Sequence, residues 1–362
     1  MTADAQNAFE RWVRPGCTVV LADGVGAPAG LYADLAAVAR SVGGVRLILG
    51  WCPEAEALDL TAFADVRAFM PGGGLRRHVA AGTVRYVPAW LSQVPGLLAG
   101  VWRPDLLVLS VRETSRGLSL GSEASWIQAA ARVAGVCIAE LNNSLPAATR
   151  GPGLDQARVT VAGESDRAPV ELPGRDVDPV SAQIGARLAA FARPGGAVQF
   201  GPGPIAEAFL AALEVPVRVD SGIITDAVVD LAERGLLAGD PLGTYLSGTR
   251  KLYDWADGRP VLDGIEVTHQ PSRLADLNLL AVNSALEIDE LGQVGLDQPA
   301  GGLSVIALPS ARRGQPTLVE RLAIPVSTPR SVVDIVVTEH GTADLRGLAD
   351  DERAHALRPL FP

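Results

Sequence analysis

A tight glycine turn and a few carboxylates are the residues of this chain best suited to chemistry. Residues 197–213 read AVQFGPGPIAEAFLAAL, the pattern of a strand, a Gly-x-Gly turn and a helix. Gly201 and Gly203 let the backbone turn sharply and approach a ligand closely. Pro204 suits the first helical turn, where its missing N–H costs nothing. The open N–H groups from Ile205 onward would then face a phosphate or an oxyanion. Such a turn, from Gly201 through Pro202 to Ile205, serves structure as readily as ligand binding. The third glycine of a dinucleotide fingerprint is absent, so NAD binding is not read. Glu140, in AELNN, ends a strand where α/β folds present ligand-facing residues, or it faces solvent or an arginine there. Ser221 has no histidine nearby in sequence to activate it, Asp226 reads as a helix cap, and Cys137 sits in an apolar strand. Arg250 and Lys251, in GTRKLYDW, suit either a phosphate or a solvated helix start.

The elements that must hold these residues alternate. Strands are expected at 17–23, 45–51, 84–90, 105–111 and 135–141, with helices at 28–42 and 123–134 between them. A stretch rich in Pro, Gly and charge, 145–176, whose one strand-like piece is RVTVAG, reads as the inter-domain region. Alternation resumes with helix 179–192, strand 196–200, helix 204–213, strand 215–220 and helix 226–235, then strands 279–285, 303–309 and 334–339. This is α/β architecture with parallel sheets and crossover connections, in two domains, 1–165 and 177–362.

Composition excludes several classes. The 362 residues carry a net charge of −10, which leaves no basic face for non-specific nucleic-acid binding. The three cysteines are far apart and the four histidines scattered, so neither a disulfide framework nor a metal site is expected. No apolar run reaches the roughly 18 residues of a membrane span, and no signal peptide is read. A cytoplasmic protein is expected.

Several longer stretches carry more information together than any motif alone. They include VRYVPAWLSQVPGLL, RPDLLVLSVRETSRGLSLGSEASWIQAAARVAGVCIAELNNSLP, QFGPGPIAEAFLAAL, LAVNSALEIDELGQVG, GGLSVIALPSA and VSTPRSVVDIVVTEHGTADLRGLADDERAHAL. In these, and in their order over nearly the whole chain, the sequence resembles the acetyl-CoA hydrolase/transferase family. That family is a branch of the class I CoA-transferases that includes 4-hydroxybutyrate and acetate CoA-transferases. The resemblance implies two tandem CoA-transferase-like open-sheet domains of the NagB/RpiA type with the site between them. It implies coenzyme A as a substrate moiety, no permanently bound cofactor, a small carboxylate as a possible second substrate, and a homodimer. It implies a mechanism in which a glutamate attacks the thioester, forms an anhydride, and becomes a glutamyl-CoA thioester. Glu287, in NSALEID, matches the family pattern, either as a site carboxylate or as a structural one.

Two departures bear on function. In the family the nucleophile precedes two apolar residues and a Ser-Asp-Gly. Here the segment reads Ser221, Gly222, Ile223, Ile224, Thr225, Asp226, Ala227, and the glutamate falls on Gly222. The family's longer glycine-rich stretch with Gly-Gly-Gln is also missing; Gly301 and Gly302 are its expected remnant. Three readings follow: hydrolysis by water activated by a carboxylate such as Glu140 or Glu287, transfer through a relocated carboxylate, or a non-catalytic acyl-CoA binder or partner-dependent subunit.

Overall fold

A computed structural model describes residues 4–151, 153–294, 302–323 and 325–362. Gly301 lies outside the described residues. Two compact units are formed: residues 1–172 with 244–269, and residues 173–243 with 270–362. The sequence reading assigns 244–269 to the second domain; in the structure these residues belong to the first unit.

The first unit is built on an eight-stranded sheet. Its strands are β1 (Thr18–Leu21), β2 (Arg46–Leu49), β3 (Asp65–Ala68), β4 (Arg85–Tyr86), β5 (Leu106–Thr114), β6 (Gly117–Ser119), β7 (Val136–Asn142) and β8 (Val159–Ser165). The order is β4-β3-β2-β1-β5-β7-β8, all parallel, with β6 antiparallel to β5. Successive side chains face opposite sides of a strand. Val19, Leu21, Leu47, Leu49, Val108 and Ile138 therefore enter one core cluster, with helix α2 (Tyr32–Val42). Val20, Ile48, Leu107, Leu109 and Cys137 enter the other. Strands buried on both faces read as continuous apolar runs, which is why most of this sheet is visible in the sequence. β3, reading DVRA, has no such run, and β8 shows only as the strand-like RVTVAG of the stretch read as linker, yet it pairs along β7 from Cys137 to Asn142.

In the second unit a six-stranded sheet contains β9 (Ala197–Phe200), β10 (Arg218–Val219), β11 (Leu280–Ser284), β12 (Leu303–Ala307), β13 (Ile335–Val337) and β14 (Thr342–Asp344). The order is β10-β9-β11-β12-β13-β14, parallel except for the β13–β14 pair. Helix α6 (Pro179–Ala189) begins at Asp178, whose carboxylate accepts the Ser181 N–H at 2.9 Å. Helix α7 (Pro204–Ala211) follows β9 directly, and helix α8 (Asp226–Glu233) follows β10. The cap of α8 is Thr225; Asp226, expected to cap it, is its first helical residue, where a carboxylate suits the positive end of the helix.

Candidate functional site

Parallel sheets present ligand-facing residues at the carboxyl ends of their strands. In the second unit that edge collects the glycine turn after β9, Ser221 and Gly222 after β10, Asn283 near the end of β11, Ser310 after β12, and Glu339 with His340 after β13. Gly203 is the N-cap of α7 with φ 137° and ψ 172°, a conformation open almost only to glycine, and Pro204 stands at N1 as expected. Open space surrounds the position of a Cβ on Gly203, so it is the backbone angle that demands glycine there. Beside the turn, Asn283 Nδ2 is buried and has no hydrogen-bond partner. A buried amide donor left unmade costs about 1–3 kcal/mol, and a ligand oxygen is one means of relieving that cost.

The segment around Gly222 is held firmly. Ser221 Oγ donates to the Phe200 carbonyl at 2.8 Å and accepts the Phe200 N–H at 3.3 Å, so its hydroxyl fastens the end of β10 to β9. Asp220 accepts from Arg273 Nη1 at 2.5 Å and Nη2 at 3.0 Å, a two-point ion pair. At the other side of the sheet, Ser310 Oγ donates to Glu339 Oε1 at 2.7 Å and lies 3.2 Å from His340 Nε2. On α7, burial lifts the Glu207 carboxyl to about 7, helped by the negative charges of Asp226 and Asp230.

The first unit has a different chemistry at its carboxyl edge: buried acids that hold backbone amides. Asp23, just past β1, accepts the Trp51 N–H at 2.7 Å, Trp126 Nε1 at 3.1 Å and the Tyr245 hydroxyl at 3.0 Å. Tyr245 also accepts from Ser125 Oγ at 2.6 Å. Glu123 Oε1 accepts the Gly26 N–H at 2.9 Å, while its Oε2 is buried without a partner. Burial drives the Asp23 carboxyl up to about 7 against the pull of the Trp51, Trp126 and Tyr245 donors. Glu123 is pushed to about 8, again by burial, with the nearby Asp23 adding to it. Burial also raises Glu140, while Ser165 and the Gly30 N–H, 2.8 Å away, draw it down. A Cβ on Gly30 would meet Glu140 Oε2 at 2.9 Å, so only glycine allows that approach.

The residues named from sequence thus separate. Glu140 is buried in the first unit. Glu287 is half-buried in the second, and its Oε1 accepts the Ala323 N–H at 2.6 Å. Cys137 is a core residue whose thiol burial raises to about 11. Arg250 opens a helix, α9 (Arg250–Ala256), capped by Thr249, and pairs with Asp254 one turn on at 3.2 Å. Sequence reasoning passed over Asp23, Glu123, Ser310 and Glu339. The signal for Asp23 was present: an acid closing an apolar strand directly before a glycine. Among the described residues, no three His, Cys, Asp or Glu side chains are grouped to hold a metal, and no helix is long and apolar enough to cross a membrane.

These features define an α/β protein with large parallel open sheets, and the fold is shared with solved proteins. RipA from Yersinia pestis superposes with a TM-score of 0.91 at 23% identity, over 99% of this chain and 93% of that one. A 4-hydroxybutyrate CoA-transferase from Porphyromonas gingivalis superposes with a TM-score of 0.80 at 25% identity, over 99% and 93%. In sequence, the chain is 28% identical over 331 residues to the 4-hydroxybutyrate coenzyme A transferase of Clostridium kluyveri, covering 80% of this chain and 77% of that protein. Residues 295–359 match the family model of the acetyl-CoA hydrolase/transferase C-terminal domain. These matches support a place for the chain in the acetyl-CoA hydrolase/transferase family, to whose members it is similar along most of its length.

Proposed function

We propose that this protein acts on acyl-CoA thioesters and cleaves them by hydrolysis, without a glutamyl-CoA thioester at the family position. The observation that carries this reading is Gly222. It stands in the frame Ser221–Ala227 where the family's glutamate is expected, and glycine has no side chain to carry an acyl group or CoA. Coenzyme A is held at the turn Gly201–Ile205. Support comes from the backbone of Gly203, the open N–H groups of α7 beyond Pro204, and the unpaired Asn283 amide beside them. Of the two carboxylates named from sequence, Glu140 is the buried one, and burial raises its carboxyl above the ordinary value. Glu287 is already occupied by the Ala323 backbone amide, a structural role.

The test is an assay of purified protein with acetyl-CoA and butyryl-CoA, following thiol release. Release with no added carboxylate is expected, and labelled acetate or succinate should not enter the CoA ester. Release that depends on an added carboxylate sinks the hydrolytic reading.

A further inference from the structure

With no side chain at Gly222, the reaction needs another first acceptor or direct attack by water. The same sheet edge offers an oxygen nucleophile. Ser310 lies three residues past β12, and Glu339 two residues past β13, the adjacent parallel strand. Leu308 N–H donates to the Val337 carbonyl at 3.1 Å, so the two strands stay in step up to these residues. We propose that Ser310 is the nucleophile that accepts the acyl group, with His340 as its base and Glu339 holding both in place. This rests on the hydrolytic reading above and names the group that opens the thioester.

The geometry supplies each part. The Ser310 hydroxyl donates to Glu339 Oε1 at 2.7 Å, and His340 Nε2 lies 3.2 Å from Oγ, where the tautomer protonated on Nδ1 can take the hydroxyl proton. Glu339 also accepts the Ser310 N–H at 2.9 Å. Burial alone would raise this carboxyl, but the Ser310 hydroxyl and amide outweigh it and hold the group below its ordinary range, so it stays ionised. The carboxylate lies 3.6 Å from His340 Nε2, close enough to stabilise an imidazolium formed there. The His340 side chain is 43% exposed while that of Glu339 is 13% exposed, so the imidazole is the partner that can pass a proton to a leaving group or to water. The backbone around the hydroxyl is fixed. The Ser310 carbonyl accepts from Thr317 N at 3.0 Å and Thr317 Oγ1 at 3.1 Å, and the His340 N–H donates to Thr338 Oγ1 at 3.1 Å. A serine that only braced Glu339 would have no use for a half-exposed imidazole on the same oxygen. The arrangement differs from a Ser-His-Asp triad in that one ring nitrogen, Nε2, faces both partners.

In the first step Oγ attacks the thioester carbonyl carbon and its proton passes to His340 Nε2. The C–S bond breaks, and the departing CoA thiolate takes that proton. In the second step water attacks the serine ester, giving its proton to His340. The Oγ–C bond breaks, Ser310 regains the proton, and a carboxylic acid leaves. The balance is thioester plus water to carboxylic acid plus thiol.

The experiment uses the full chain with acetyl-CoA and butyryl-CoA labelled in the acyl group. Ser310→Ala should lower thiol release by about 100-fold or more, with the melting temperature and CoA binding kept. Ser310→Cys should retain the acyl group as a thioester at residue 310, visible as a mass increase in that peptide. His340→Gln should slow acylation of the cysteine variant. Thiol release by Ser310→Ala within about threefold of the natural protein overturns the proposal and leaves hydrolysis standing. Loss of activity in Ser310→Ala with no acyl group on Ser310→Cys also overturns it, making the serine structural. No thiol release by the natural protein from either ester would instead overturn the hydrolytic reading itself.

Discussion

Replacing Glu123 with glutamine should reverse part of the protein's pH dependence of stability. Glu123 is buried, its Oε2 has no partner, and its carboxyl titrates at about 8 where an ordinary glutamate titrates at 4.5. The folded state therefore binds a proton over a range in which the unfolded chain does not. Stability is full below the unfolded value and is lost as pH rises from about 4.5 towards 8. The shift from 4.5 to about 8 corresponds to at most about 5 kcal/mol at 1.36 kcal/mol per pH unit. Asp23, raised from 3.8 to about 7, adds a loss of the same sign that begins and ends lower. Glutamine keeps the acceptor for the Gly26 N–H and cannot ionise. Glu123→Gln should lie within about 1 kcal/mol of the natural protein at pH 5 and exceed it by about 2 kcal/mol or more at pH 8.5. Native-state hydrogen exchange of peptides covering 18–21 and 136–142, across pH 5 to 9, reads the first unit separately from the second. Parallel curves for the two proteins, or a variant weaker at pH 8.5, would refute the assignment of a neutral Glu123.

Three further outcomes are expected. Gly203→Ala should cost about 1–3 kcal/mol in backbone strain, because φ 137° is closed to a Cβ even where space is open, and should weaken CoA binding measured by calorimetry. An alanine variant with unchanged CoA affinity would remove the turn from the site. Gly222→Glu should give only trace CoA transfer to acetate, while borohydride trapping of the natural protein with an acyl-CoA should leave the peptide 219–231 unmodified; a trapped adduct there would show that the frame is misread. Light scattering at micromolar concentration should give the mass of a dimer or larger, and a monomer of 37.6 kDa would count against that.

What the sequence makes visible follows from burial. β5 and β7 are apolar on both faces and stand out as unbroken runs. β3 reads DVRA, with alternate residues partly exposed, and offers no such run. β8 shows only as the strand-like RVTVAG, its run cut short by the glycine and glutamate of a strand at the edge of the sheet order. The glycine turn was legible because its conformation requires particular residues at particular positions. Glu123 was not, because nothing local distinguishes it in GSEASW from an exposed helix-start glutamate. What marks it is the Gly26 amide 97 positions away. Ser310 and Glu339 are likewise 29 positions apart and meet only through strand pairing.

The return of residues 244–269 to the first unit sets an order of events during synthesis. Tyr245 donates its hydroxyl to Asp23, Leu246 N–H binds the Ser122 carbonyl, and Ile265 N–H binds the Ser125 carbonyl. Until those residues leave the ribosome, Asp23 lacks its phenol and Ile265 is missing from the core around Trp126. Residues 173–243, which belong to the other unit, emerge first. At 5–20 residues per second that interval lasts several seconds, during which the nascent first unit has an open seam beside its most deeply buried acids. The amino-terminal 172 residues expressed alone would keep that seam permanently. Supplying 244–269 as a separate peptide is the direct way to close it.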